Sequence, residues 1–124
     1  MLGEQLPKNK DPRKAYGEMS LLVNKWAHWL FYMQNKHVVL ICKQTHDEVL
    51  NKKKPYFPGH DLNVKIPHLY DEILNLGKHN VPGIGETLAI RAKEDYAFVA
   101  RDRSGNLGEL EPPNLADLFK KCML

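Results

Sequence analysis

The sequence predicts a mixed α/β chain, and three observations carry that expectation. Apolar residues recur at spacings of three and four from Tyr16 to Met33, the stripe of an amphipathic helix. A continuous apolar, largely β-branched run, "HVVLIC" from His37 to Cys42, follows at once. The second half alternates apolar and polar residues before a last helical stretch, "EPPNLADLFKKCML".

Residues 1 to 10 are polar, carry Pro7 and read as a tail or linker. Asp11 is placed to cap a helix and Pro12 suits its first position. Tyr16, Met19, Val23, Trp26, Leu30 and Met33 then form one stripe of a helix from about Pro12 to Gln34, widened by Leu22 and Trp29. Gly17 weakens its first turn by roughly 1 kcal/mol relative to Ala. Trp26 lies on the stripe and is expected in the core; the alternative is that the two tryptophans form a stacking platform for bases.

"HVVLIC" shows no alternation, so it is expected to be a strand buried on both faces, as in the middle of a parallel sheet. Helix, short link and buried strand make half of a βαβ unit, whose earlier strand is missing from this chain. An apolar strand without neighbours is an exposed edge. The chain alone is therefore expected to be oligomeric, sticky or only partly folded.

Residues 43 to 66 read as a long loop. Lys52, Lys53 and Lys54 lie close to Tyr56 and Phe57 in it. Alone, this is a solvated lysine turn with aromatics folding back on a core. The other reading is single-stranded nucleic acid, with lysines on phosphates and rings on bases. "IPHLYDEILNLG" fits a short helix, a strand, or one followed by the other. Leu88, Ile90 and Ala92 share one face, as do Tyr96, Phe98 and Ala100, so a hairpin turning at Glu94-Asp95 is expected. Near the C-terminus Asn114 is a helix cap, Asp117 takes the capping-box position, and Leu115, Leu118, Phe119 and Cys122 form a stripe.

"NVPGIGETLA", Asn80 to Ala89, resembles a helix-hairpin-helix turn that offers backbone N–H groups to a DNA phosphate. The period-two pattern of Leu88, Ile90 and Ala92 favours a glycine-rich hairpin loop instead.

A length of 124 residues suits one domain, and a net charge of +3 permits an anionic partner without demanding one. The longest apolar run, Val38 to Cys42, is too short to cross a membrane. Two distant cysteines make no disulfide framework and suit a reduced intracellular compartment. The six histidines are scattered and none has zinc-ligand spacing, so no metal site is expected. GxSxG, HExxH and P-loop lysine motifs are absent from the sequence.

From about Asp11 to Met123, the order of helix, "HVVLIC", a basic loop with "PG", "IPHLYDEIL", an alternating hairpin, "ARDRSG", "EPPNL" and helix resembles the C-terminal half of RecA-like ATPases of bacteriophages. That group includes single-strand annealing ATPases. The resemblance implies part of a RecA-like three-layer core over residues 11–124, acting in DNA recombination or replication in the cytoplasm of a bacterial host cell. It implies Gln44 or Lys43 at the γ-phosphate sensor position. It also implies a single-stranded DNA loop carrying Lys52, Lys53, Lys54, Tyr56 and Phe57. Arg101 and Arg103 would reach a nucleotide held by a neighbouring subunit, since a guanidinium fork suits phosphate oxygens. Ordinary salt bridges, to Glu109 or Glu111, are the alternative for these arginines.

The family's GK[ST] loop and Walker B aspartate are not in this chain. Both lie upstream of its first helix in the family, so the chain reads as the back half of such an ATPase: a truncated or split gene, a fragment, or a descendant that lost the catalytic half. ATP and Mg2+ are then expected only when the missing half is supplied, and the chain alone is not expected to hydrolyse ATP. Its partners are expected to be single-stranded DNA and either further copies or the missing half. The competing readings are a small nucleic-acid-binding module using the PGIG turn, and a small interaction protein that works by edge pairing.

Overall fold

The computed structural model describes residues 12–124; the expected tail at 1–10 and the Asp11 cap lie outside the described residues. The chain divides into two compact units, Met1–Lys43 with Tyr56–Leu69, and Gln44–Pro55 with Tyr70–Leu124. The described residues are mixed α/β, and their strand ladders are antiparallel.

In the first unit, helix α1 (Pro12–Phe31) packs on α2 (His60–Leu69). The buried stripe of α1 runs through Ala15, Met19 and Ala27, and α2 buries Leu62 and Ile66. This stripe is rotated from the expected one. Small alanines rather than Tyr16 and Trp26 lie at the buried positions, and Trp26 is 48% exposed, which corrects its expected place in the core. Helix α1 also ends three residues short of Gln34, before Asn35 turns the chain at φ 60°. Gly59 precedes α2 at φ +88°, and a Cβ there would meet Ser20 Oγ at 3.4 Å. Asn63 secures the start of α2: its Oδ1 accepts from Phe57 N at 2.9 Å and its Nδ2 donates to Gly59 O at 3.0 Å.

His37 to Cys42 is not the expected buried parallel strand. It joins none of the strand ladders. Its burial alternates: Val38, Leu40 and Cys42 are partly covered while Val39 and Ile41 face out, Ile41 at 95% exposure. Period-two burial is strand geometry on one face. Among the described residues no strand pairs with it, and only one of its faces is covered.

In the second unit, β1 (Gln44–Asp47) and β2 (Lys52–Pro55) form a hairpin where a loop was expected, with Thr45 opposite Lys54 and Asp47 opposite Lys52. Asp47 Oδ1 accepts from the amides of Val49 and Leu50, each at 2.9 Å, and Asn51 takes φ 53° to close the turn. Short β3 (Glu72–Ile73) pairs with β6 (Arg101–Asp102). The central ladder is β4 (Asn75–Val81) against β5 (Gly85–Arg91), with β7 (Leu110–Glu111) on the far side of β5.

The β4–β5 turn is the PGIG stretch, a hairpin loop as its periodicity indicates. Ile84 N donates to Val81 O at 3.0 Å, and Gly83 and Gly85 hold φ of 81° and 97°, where a side chain is strained. The partner of β5 is therefore β4, not residues 96 to 100 as expected. Glu94-Asp95 does not reverse a long hairpin. Asp95 Oδ1 instead accepts from Ala97 and Phe98 amides at 2.9 and 2.8 Å, making a local turn. Helix α3 (Leu115–Cys122) starts as expected, with Asn114 Oδ1 accepting from Asp117 N at 3.2 Å. Its Leu118 joins Ile90, Ala92 and Leu107 in the core, with Leu74, Phe119 and Cys122 packed around them.

Candidate functional site

The arginines of "ARDRSG" bond to the neighbouring Tyr70-Asp71 segment. Arg101 donates through Nη2 to Tyr70 O. Arg103 donates from its backbone to Asp71 O at 3.1 Å and from Nη1 to Asp71 Oδ1 at 2.8 Å. The latter pair is exposed, so it contributes little to stability. The alternative partner Glu111 is taken by Lys121, whose Nζ donates to both carboxylate oxygens at 2.6 and 2.7 Å. Burial raises the Glu111 carboxyl, but the bonds from Lys121 and Gly108 outweigh it and hold it below the ordinary range.

Asp102, between the two arginines, organises the Ser-Gly-Asn turn. Its Oδ1 accepts from Ser104 N at 3.0 Å and Ser104 Oγ at 2.6 Å, and its Oδ2 from Leu107 N at 2.9 Å. Opposite lies Glu72, and Cys122 Sγ donates to Glu72 Oε1 at 3.6 Å. Ligand atoms of Glu72, Asp102 and Cys122 lie within 4.8 Å of one another, the one group of this kind among the described residues. Burial, and next the Asp102 carboxylate, push Glu72 up to about 7. Burial also raises the Cys122 thiol. These three could hold a divalent cation only by losing those protons. Two carboxylate oxygens cannot bond each other unless one carries a proton, and a protonated Glu72 can donate to Asp102. Sequence spacing gave no sign of this group, because its members come from β3, β6 and α3.

The lysine run is engaged at both ends. Lys54 Nζ donates to Asp47 Oδ2 at 2.7 Å, and Lys52 Nζ lies 3.5 Å from Glu94 Oε2. Between them Lys53 Nζ stands 5.7 Å from the Phe98 ring centre. Lys52 to Lys54 belong to the second unit, whereas Tyr56 and Phe57 belong to the first. Gln44 begins β1, and its Oε1 accepts from Asn75 Nδ2 at 2.8 Å. Asn75 Oδ1 in turn lies 3.0 Å from Nε2 of buried His79, which meets Phe98 edge to face. Gln44 thus stands on the β1–β2 pair and Arg101 on the β3–β6 pair, with Arg103 just after β6.

The segment Val38 to Cys42 stands out by its backbone. Among the described residues, none of its N–H or C=O groups has a hydrogen-bond partner. The hydrogen bonds begin again at Lys43, whose O accepts from Tyr56 N at 2.7 Å. The same unit exposes Leu21, Trp29 and Tyr32 on α1, with Trp29 at 67%. This apolar, strand-patterned and unpaired stretch is the feature of the chain that best fits binding. No helix of the described residues is long and apolar enough to cross a membrane. No protein-family model, curated protein or solved structure matches the chain.

Proposed function

We propose that this chain is an interaction protein that presents Val38–Cys42 as a strand to another polypeptide. The observation that carries this is the coincidence of period-two burial, outward Val39 and Ile41, and five successive residues with no backbone hydrogen bond. Unpaired strand-like backbone is a template for strand addition, in which main-chain bonds supply affinity and alternate side chains supply specificity.

The resemblance to RecA-like phage ATPases gives the proposal a more specific form. The second polypeptide is then the half that carries the P-loop and the Walker B aspartate, and "VVLIC" enters its parallel sheet. ATP and Mg2+ would be held by that half. Arg103 would leave its exposed pair with Asp71 to reach a phosphate, while Lys52 to Lys54 and Tyr56-Phe57 would serve single-stranded DNA. The hydrogen-bond-free state of the segment supports this form, since a central strand lacking neighbours is left in that state.

The test is titration with a soluble strand-forming peptide of alternating valine and threonine, followed by amide hydrogen exchange. Binding should slow exchange across Val38–Cys42 in the native chain. Ile41→Pro removes one N–H and should abolish the effect. Binding that is absent, or that survives Ile41→Pro unchanged, contradicts the proposal.

A further inference from the structure

The outward face of the unpaired segment carries more information than its apolarity. His37, Val39, Ile41 and Lys43 are all exposed and alternate with the partly covered Val38, Leu40 and Cys42. In strand geometry those four share one face, whose apolar Val39 and Ile41 are followed by the cationic Lys43. Lys36 adds a second exposed cation at the N-terminal end. Neither Lys36 nor Lys43 has an ion-pair partner among the described residues. The nearest following acid, Asp47, is already bound to Lys54.

This pattern discriminates between occupants. An antiparallel second copy centred on Leu40 would set Lys43 opposite His37 and Lys36 opposite Gln44 of the other chain, so neither lysine would meet an acid. A parallel copy in register would stack every lysine on its own counterpart. Like charges directly opposite are destabilising, and opposite charges across a strand pair are favourable. From this we propose that the strand received by Val38–Cys42 belongs to a different polypeptide and has an apolar centre bracketed by Asp or Glu at both ends. The inference rests on the strand addition proposed above and adds the charge of the partner. The acidic brackets would pair with Lys36 and Lys43, fix the register, and set self-association at a disadvantage.

The experiment compares two fluorescent peptides with the same valine–threonine centre, one bracketed by glutamates and one by lysines, by anisotropy on the full chain. At low salt the glutamate peptide should bind about tenfold more tightly, because exposed pairs are least screened there. The gap should narrow at 0.15 M ionic strength and above. Lys43→Glu should reduce or reverse the preference. Equal affinities for the two peptides would overturn the acidic partner while leaving strand addition intact. Dimerisation of the chain through Val38–Cys42 that excludes both peptides would overturn it in favour of a second copy. Failure of both peptides to bind, or binding indifferent to Ile41→Pro, would remove the strand reading and this inference together.

Discussion

Glu72 and Asp102 stand directly opposite one another in the β3–β6 pair, with the Cys122 thiol donating to Glu72. Burial and the Asp102 charge raise Glu72 from an ordinary 4.5 to about 7. The folded chain therefore holds a proton that the unfolded chain releases near pH 4.5. Stability should fall as pH rises from about 4.5 to about 7 and level off above that. On the acid side Asp102, Asp95 and Glu111 are lowered in the fold, so their contribution is lost as pH falls through the carboxylate range. Thermal melts should thus peak near about pH 5. Glu72→Gln should flatten the neutral limb and stabilise the chain at pH 8 by about 1–2 kcal/mol, allowing for solvent screening of a partly exposed pair.

Glu111 is 3% exposed and depends on Lys121 for its counter-charge. Lys121→Met should cost about 2–3 kcal/mol in denaturant unfolding, because it leaves a buried carboxylate unpaired. Lys120→Met, on the same turn of α3, should fall within about 0.5 kcal/mol of the native chain.

Leu118 is one of the two largest fully buried side chains. Leu118→Ala should destabilise the second unit by about 3 kcal/mol through lost burial and a residual cavity. Leu115→Ala, at a position 40% exposed on the same helix, should change stability by no more than about 0.5 kcal/mol.

Gly59 needs its φ of +88°, since a Cβ there would make only ordinary contact with Ser20 Oγ at 3.4 Å. Gly59→Ala should destabilise the first unit by about 1–2 kcal/mol, and an adjacent Ser20→Gly should recover little, since the strained φ remains.

What could be read from the sequence was what short-range chemistry decides. Asn114 caps α3, the glycines of "PGIGE" close a hairpin, and the three-four spacing after Pro12 makes a helix. Each depends on residues within one or two turns of each other. The rotation of α1 escaped the reading because Ala15 and Ala27 allow close packing that an apolarity count assigns to Tyr16 and Trp26. Arg101 and Arg103 find their partners at Tyr70 and Asp71, 31 and 32 residues away, and Cys122 meets Glu72 across 50. Nothing local encodes such meetings. "HVVLIC" shows a different limit. Its composition describes the environment a strand would occupy, and the described residues do not supply that environment.

That segment is the centre of the account, and native-state amide hydrogen exchange on the dilute, unliganded chain tests it most directly. Amides of Val38 to Cys42 should exchange at close to unprotected rates, while those paired in β4 and β5 remain slow. Slow exchange at Val38–Cys42 in a monomeric sample would mean that these amides are already satisfied within the chain, which contradicts strand presentation.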